Sequence, residues 1–277
     1  MSQTPCGQPC LRVWTTRRRA ETRGAACFEG PYLLFIEGPS AGSMAWLPVV
    51  LTTLMASRNP SAPAAPRVPL SDPSQASRPG DWEDMGLGGE FASVLLSGDP
   101  GDADLSDVTF NDCVLDRAVL GDADLTRVRV EASTLLGVFA TELRANRSFW
   151  RHVGIRQLRI GAADLVDSKL SAVSISGARL GRVDLRRSVV ADVLIEDAMI
   201  EELDLDEAKV TRLTLRDVKV GKLSVAGAVL KDVDLRGAQL GTVGPLVGLR
   251  GATISDWQLQ ALAPALAAEL GLRVLGE

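Results

Sequence analysis

The sequence has few of the side chains that enzymes use for catalysis. Its 277 residues include one His (His152), one Tyr and four Cys, and aromatic residues make up 4%. We recognise no Ser/His/Asp arrangement, phosphate-binding glycine loop or metal-ligand set, so we expect neither an enzyme nor a cofactor. Cys6 and Cys10 form a C-x3-C pair without a second pair or a nearby His, which argues against a zinc site. With so few rings, the core must be built from aliphatic side chains.

The first eighty residues differ from the rest in charge and composition. They hold 8 basic and 4 acidic residues, whereas the rest of the chain holds 22 and 31. Residues 57–80 are rich in Pro, Ser and Ala, which predicts a disordered linker. The apolar run 44–56 is too short for a membrane span and lies too far from the N-terminus for a signal peptide. We therefore interpret 1–80 as a poorly ordered extension, and 1–54 as the product of an upstream start codon.

A five-residue period begins at residue 103. From Leu105 to Leu240, 26 of the 28 residues at multiples of five are Leu, Ile, Val, Phe or Trp, and Ala140 and Ala145 are the exceptions. The residue two positions earlier is always Ala, Val, Ser, Cys or Leu, and every charged residue between 103 and 242 lies at one of the other three positions. Two residues of each repeat therefore point inward and three point to solvent.

This period fits neither an α-helix nor a flat strand. A helix would rotate its apolar stripe by about 140° per repeat, and a strand alternates at every second residue. The pattern favours a chain that bends inward once per repeat. Stacked coils of such a chain would form backbone ladders about 4.8 Å apart around a continuous aliphatic core.

The segments ADLSD, AVLGD, ADLTR, ADLVD and VDLRR resemble the A-(D/N)-L-x-x motif of pentapeptide-repeat proteins. The resemblance covers about 103–242 and implies an all-β solenoid, a right-handed quadrilateral β-helix with four repeats, or 20 residues, per coil. Twenty-eight repeats would then form about seven coils. We expect an acidic N-terminal cap at 81–102, the β-helix at 103–245, and a final turn with a capping α-helix at 246–277.

The repeat is irregular around residue 145. Trp150 follows the two small central residues, and its ring could fill the volume that they leave. The same region concentrates four Arg residues around His152, namely Arg147, Arg151, Arg156 and Arg159. We interpret it as a solvated coil, and a patch for an anionic ligand is the alternative.

Two acidic features are candidate partner surfaces. Twenty residues per coil place a column of aspartates on one wall, interrupted by Arg144: Asp104, Asp124, Asp164, Asp184 and Asp204. Each could bond the backbone of its own corner. Alternatively, the column could resemble a nucleic-acid backbone and attract a basic, DNA-binding partner. The second feature is the acidic entry, represented by Asp81, Glu83 and Asp84.

A third acidic run, residues 192–207, is predicted to be neutralised by the neighbouring coils. The coil length sets Asp192 beside Arg212, Glu196 beside Arg216, Glu202 between Arg182 and Lys222, Asp206 beside Arg186, and Glu207 beside Arg187. The exceptions are Asp197 beside Asp217 and Asp204 beside Asp184. Because each exposed pair contributes only about 0.2–1 kcal/mol, we interpret the pairs together as a device that fixes coil register.

The C-terminal segment predicts a helix. Ser255 and Gln258 fit a capping box, Gly271 suits the helix stop, and Pro264 should kink the helix or end it early. Its apolar face consists of Trp257, Leu259, Leu262, Leu266 and Leu270. The helix could cap its own solenoid, or pair two chains end to end. Similar helices form dimers in pentapeptide-repeat proteins that regulate DNA gyrase.

Two functions follow as hypotheses. The first is a noncatalytic, cytoplasmic scaffold that binds a protein whose identity the sequence does not give. The second, implied by the resemblance, is a DNA-mimic regulator of a topoisomerase such as DNA gyrase, or of another DNA-binding protein. We expect no direct binding to nucleic acid, because the basic residues are scattered, and no membrane association. The chain would be a monomer or a C-terminal homodimer.

Overall fold

The computed structural model describes residues 62–68, 78–84, 89–101, 104–121 and 123–275. The interpretation of 1–54 as the product of an upstream start lies outside these residues. Part of the predicted linker is described: residues 62–68 have no regular secondary structure, and the main-chain N–H of Arg67 donates to Asp192 Oδ1 at 2.9 Å.

The described residues form a parallel sheet of seventeen short and long strands that winds into a solenoid. The strands are β1 (Arg78–Pro79), β2 (Glu90–Ala92), β3 (Val94–Ser97), β4 (Thr109–Asn111), β5 (Val114–Asp116), β6 (Arg129–Glu131), β7 (Thr134–Leu136), β8 (Phe139–Arg144), β9 (Phe149–Arg156), β10 (Arg159–Asp164), β11 (Lys169–Ser176), β12 (Arg179–Asp184), β13 (Val189–Asp204), β14 (Lys209–Ser224), β15 (Val229–Lys231), β16 (Val233–Gly244) and β17 (Ala252–Thr253). Two 3-10 turns cover Trp82–Asp84 and Leu246–Leu249, and helix α1 covers Asp256–Glu269.

Each coil contains 20 residues through the repeat region, as the motif implied. Lys169 pairs with Val189, which in turn pairs with Lys209. The solenoid has about eight turns, one more than the seven coils expected. The additional turn comes from β2 and β3, which pair with β4 and β5 at an offset of 19 residues, as in Phe91 with Phe110. Because this turn is one residue short, it does not follow the five-residue period.

Four walls surround the core, and each takes its central residue from every fourth repeat. Wall 1 has Leu105, Leu125, Ala145, Leu165, Leu185, Leu205 and Val225; wall 2 has Phe110, Val130, Trp150, Leu170, Val190, Val210 and Leu230; wall 3 has Leu115, Leu135, Ile155, Ile175, Ile195, Leu215 and Leu235; wall 4 has Leu120, Ala140, Ile160, Leu180, Ile200, Val220 and Leu240. Most of these side chains are buried, including Leu105 and Ala140 at 0% exposure.

The corners explain why the period is five. After a central residue on walls 1 to 3, the second residue along commonly has a positive φ, such as 58° at Asp107 and 55° at Asp192. Asp and Asn adopt this left-handed conformation more readily than most residues because their short polar side chains can bond the local backbone. The turn is closed by a hydrogen bond such as that from Ala208 N to Leu205 O at 3.0 Å. The chain thus turns inward and starts the next wall.

The irregular region packs its large ring inside the solenoid. Trp150 is 6% exposed, and its Nε1 donates to Ser148 Oγ at 2.7 Å. Ala140 and Ala145 are fully buried on the two preceding walls. Ser148 belongs to a buried column with Ser168 and Ser188, whose hydroxyls bond corner main-chain groups of the neighbouring coils. Polar atoms in the core are therefore satisfied by the coil stacking itself.

Helix α1 covers the C-terminal end of the solenoid. The predicted capping box between Ser255 and Gln258 is confirmed, as is the helix stop at Gly271, which has a φ of 71°. Pro264 does not end the helix early, because the helix continues to Glu269. Gln258 is buried, and its Nε2 donates to Leu235 O and to Ala238 O, each at 2.7 Å. Among the described residues, no helix is long and apolar enough to cross a membrane.

Candidate partner-binding surfaces

The five aspartates of wall 1 each bond the backbone of their own corner. Each Oδ1 accepts from the main-chain N–H two residues ahead, which is an Asx turn. The bonds are Asp104 to Ser106 N (2.9 Å), Asp124 to Thr126 N (2.9 Å), Asp164 to Val166 N (3.1 Å), Asp184 to Arg186 N (3.2 Å) and Asp204 to Asp206 N (3.0 Å). The local interpretation of the Asp column is therefore confirmed. Whether the column also binds a partner remains a separate proposal.

The wall is not uniformly acidic at its surface. Asp104 and Asp124 are exposed, whereas Asp184 is 6% exposed and bonded by the guanidinium of Arg186 at 2.6 and 2.8 Å. Burial raises the pKa of Asp184, but the hydrogen bonds and charge of Arg186 outweigh it, so the pKa lies below its usual value. Arg144 pairs in register between Asp124 and Asp164. The column thus has its most exposed carboxylates, Asp104 and Asp124, at its N-terminal end.

The acidic entry is a separate feature at the start of the solenoid. Asp81 and Glu83 are exposed, and Asp81 Oδ1 accepts from Glu83 N at 3.1 Å. The side chain of Asp84, the third predicted residue of the acidic entry, lies outside the described part of the structure. Between Asp81 and Glu83, Trp82 turns into the core, and its Nε1 donates to Ser97 O at 2.7 Å. The exposed acids Asp81 and Glu83 therefore flank a buried Trp82, which packs this segment against the N-terminal end of the solenoid.

The acidic run 192–207 is largely paired across coils, as predicted. Arg212 binds Asp192 through two bonds of 2.6 Å, Arg216 binds Glu196, and Lys222 binds Glu202 at 2.6 Å. The pKa values of Asp192 and Glu202 are lowered by these hydrogen bonds. This run is therefore part of the stacking rather than an open acidic patch.

Two of the predicted coil neighbours bind other partners instead of each other. Asp206 does not pair with Arg186; its Oδ1 accepts from Ser224 Oγ at 2.7 Å and Ala226 N at 2.6 Å. Arg187 binds Asp167 in the preceding coil at 2.9 Å rather than Glu207 in the next. Each arginine had an acid within reach in more than one direction, and coil spacing alone does not choose between them.

The C-terminal helix divides its predicted apolar face. Leu262 is buried, and Leu266 packs against the core. In contrast, Trp257 and Leu259 are each 50% exposed and Leu270 is 73% exposed. Glu269 further ties the helix to its own chain by accepting from Leu246 N at 2.8 Å. The structure brings Leu262 and Leu266 to the core and leaves the other three residues at the surface.

Wall 4 has a groove that was not predicted from the sequence. The groove has a volume of about 810 Å³ and crosses five consecutive coils. Its wall side is the column Phe139, Arg159, Arg179, Met199 and Lys219; its corner side is the column Gly137, Gln157, Gly177, Asp197 and Asp217. We call this the wall 4 groove. The 20-residue coil length does predict from the sequence which residues share this column. It does not predict that the corner beside the column is open, which the structure shows.

The groove combines exposed apolar side chains with adjacent cations. Phe139 is 48% exposed and Met199 is 50% exposed. Between them, Arg159 and Arg179 are register neighbours on adjacent strands. Neither arginine forms an ion pair with any residue in the described part of the chain. Like charges stacked at coil spacing repel each other, so this arrangement is not explained by stability.

The arginines near His152 do not form one patch. Arg147 and His152 lie at successive corners, Arg159 lies on wall 4, and Arg151 binds Glu131 at 2.6 Å. Because these residues are spread around a coil, they do not form the cluster that an anionic-ligand patch in this segment would need. Of these arginines, Arg159 has another arginine as a register neighbour, Arg179 of the next coil.

The fold defines a class of repeat protein in which stacked coils present outward side chains on fixed columns. The family described as pentapeptide repeats (8 copies) matches residues 102–135. This match, the five-residue period and the four-walled coils together make the chain similar to pentapeptide-repeat proteins.

Solved structures give a weaker comparison. QnrB1, described as a plasmid-mediated fluoroquinolone resistance protein, is 16% identical in one of its trypsin-treated forms, with a TM-score of 0.36; the match covers 68% of this chain and 92% of that one. HetL from the cyanobacterium Nostoc, described as involved in heterocyst differentiation regulation, is 15% identical with a TM-score of 0.21, covering 60% and 90%. With TM-scores below 0.5, neither supports an inference about function. None of the curated proteins matches this chain.

Proposed function

We propose that this pentapeptide-repeat protein is a noncatalytic scaffold that binds a partner protein along wall 4. The observation that carries the proposal is the column Phe139, Arg159, Arg179 and Met199, in which all four side chains are exposed. Phe, Met and Arg are enriched at protein interfaces relative to the remaining surface.

The solenoid suits this role because its columns are fixed by the backbone. Phe139 pairs with Arg159, and Arg179 pairs with Met199, through the continuous ladder of β8, β10, β12 and β13. A partner would therefore meet side chains whose spacing is set before binding, which reduces the entropy lost on association.

Photo-crosslinking in the source cells tests the proposal. A photoreactive amino acid is placed at Met199 in the full chain, and a matched control is placed at Val189, which is 43% exposed on wall 2. We expect a discrete protein adduct from position 199 and none from position 189. Identical adducts at both positions, or no adduct at 199, would contradict the proposal.

The second candidate function is a DNA-mimic regulator of DNA gyrase or another DNA-binding protein. The observation that favours it is the exposure of Asp104 and Asp124 in one column, with Asp81 and Glu83 exposed in the N-terminal segment. A supercoiling assay with purified gyrase tests it, with Asp104→Asn/Asp124→Asn as the comparison. Absence of inhibition or protection at micromolar protein would exclude this candidate for gyrase, and an equal effect of the variant would exclude the Asp column.

A further inference from the structure

We infer that the wall 4 groove binds an extended acidic peptide segment of a partner protein, with its carboxylates on Arg159 and Arg179. The inference rests on the proposed function and names the chemistry of the partner. Five coils at the strand spacing extend for about 19 Å, the length of roughly six residues of extended chain. The groove therefore has the length of a short linear segment.

The positive charge at the centre of the groove favours an anionic ligand there. At several other places in the solenoid, residues 20 apart pair opposite charges: Arg127 with Asp107, Arg151 with Glu131, Arg187 with Asp167, and Arg212 with Asp192. Arg159 and Arg179 use the same spacing for two like charges. A carboxylate lying between the two guanidinium groups would supply the missing counter-charge and accept paired hydrogen bonds from them.

The ends of the groove limit the partner further. Phe139 flanks the arginine pair on one side and Met199 on the other, so apolar side chains are expected on both sides of the acidic ones. Asp197 and Asp217 line the corner side next to Met199 and Lys219. These two carboxylates would repel a continuous phosphate backbone. A peptide with a short acidic centre fits this mixed charge better than a nucleic acid does.

Two residues on the corner side of the groove, Gly137 and Gly177, have no side chain. Gly137 and Gly177 have φ values of 63° and 64°. The corresponding corners one coil away from Gly177 carry Gln157 and Asp197, also at positive φ. A side chain is therefore compatible with this corner. A Cβ added at Gly177 would meet Gln157 atoms only at 3.7 Å or more, whereas at Gly137 the Arg117 side chain lies at 3.2 Å. Gly177→Asn keeps a residue that tolerates this conformation and narrows the groove without changing its charge.

A peptide selection tests the inference. Phage-displayed random octapeptides are selected on the full chain, and the enriched sequences are measured as fluorescein-labelled peptides by fluorescence polarisation. We expect peptides with Asp or Glu between apolar residues. Arg159→Glu/Arg179→Glu should weaken their binding by about tenfold or more, and Gly177→Asn should weaken it as well. Arg159→Gln/Arg179→Gln serves as a second variant in case the charge reversal disturbs folding.

The control reverses the same number of charges on another wall. Lys169 and Lys209 are exposed on wall 2, and Lys169→Glu/Lys209→Glu changes the net charge by the same amount. Binding should stay within about twofold, because separated surface charges are screened by salt. An equal loss in this control, selected peptides without acidic residues, or no selected binder would overturn the inference. Light scattering gives one more outcome that would overturn the inference. If the wild-type chain is a dimer and Arg159→Glu/Arg179→Glu is a monomer, the groove is occupied by a second copy of the chain.

The crosslinking experiment separates this inference from the proposed function. If acidic peptides do not bind while the adduct at position 199 persists, the acidic chemistry is wrong and the scaffold role stands. If the adduct is also absent, the proposed function itself is contradicted.

Discussion

Asp184 and Asp204 are register neighbours on wall 1, yet their pKa values are displaced in opposite directions. Burial raises the pKa of both side chains. At Asp184 the bonds and charge of Arg186 reverse this effect, whereas at Asp204 the charges of Asp206 and Asp184 add to it against the hydrogen bond from Asp206 N. In one column, therefore, the negative charge of Asp184 is stabilised by Arg186, whereas the negative charge of the neighbouring Asp204 is disfavoured by its surroundings.

We expect Asp204→Asn to stabilise the fold at pH 7. Because the folded pKa of Asp204 lies above its usual value of 3.8, the folded state binds the proton more tightly, and stability falls as pH rises through this range. Asn retains an oxygen that can accept from Asp206 N and removes the charge. The gain should be a few tenths to about 1 kcal/mol in the free energy of unfolding, measured by urea denaturation.

Asp184→Asn is the matched comparison and should have the opposite sign. The folded pKa of Asp184 lies below 3.8, so its contribution is present above pH 3.8 and is lost as pH falls through the folded pKa. The variant should therefore unfold more easily at pH 7. At acidic pH, where the wild-type carboxyls are protonated, the free energy of unfolding of each variant should be closer to that of the wild type. Equal effects of the two substitutions at pH 7 would contradict this account of wall 1.

We predict that Ser168→Ala destabilises the core although it removes a single oxygen. Ser168 is 1% exposed; its Oγ accepts from Ser148 N at 3.0 Å and donates to Ala145 O at 3.0 Å. Alanine would leave buried polar groups without partners, at a cost of about 1–3 kcal/mol in the free energy of unfolding. Ser171→Ala, half-buried on the outer face of β11, is the control and should change stability much less. A similar change in both would show that the buried hydroxyl column is unimportant.

The five-residue period predicted the coils and several contacts between them. A coil length of 20 was sufficient to pair Asp192 with Arg212 and Glu202 with Lys222, because stacking in a solenoid converts sequence offset directly into neighbourhood. It was also sufficient for the Asx turns, which depend only on the local chain. The first turn was not predicted because its offset of 19 breaks the period.

The wall 4 groove was harder to predict for a physical reason. The groove depends on side chains from five coils, including the missing side chain at Gly177 and the exposed ring of Phe139, and no single repeat specifies this combination. The partner choice of Arg187 was likewise not determined by register, since acids lie both above and below it. Contacts decided by side-chain rotamers, rather than by coil spacing, were the ones that the sequence left open.

We predict that Asp192→Ala releases residues 62–68 from the solenoid. The Arg67 amide donates to Asp192 Oδ1, and the same carboxylate is held in place by Arg212. Without it the segment loses this bond, so trypsin should cleave after Arg67 faster in the folded protein. Asp167→Ala removes an ion pair of the same kind, with Arg187, and should leave this cleavage rate unchanged. Equal rates in wild type and Asp192→Ala would show that the bond does not hold the segment.

The C-terminal helix should separate into a stabilising face and an exposed face. Leu262 is buried against the solenoid, so Leu262→Ala should lower the free energy of unfolding by about 2–5 kcal/mol. Leu259 and Leu270 are exposed, so Leu259→Glu/Leu270→Glu should change it by about 0.5 kcal/mol or less. Light scattering on the same two proteins then decides between the proposed roles. A fall of the particle mass by half in the double variant alone would assign the exposed face to a homodimer, whereas an unchanged mass would leave the helix as a cap on its own chain.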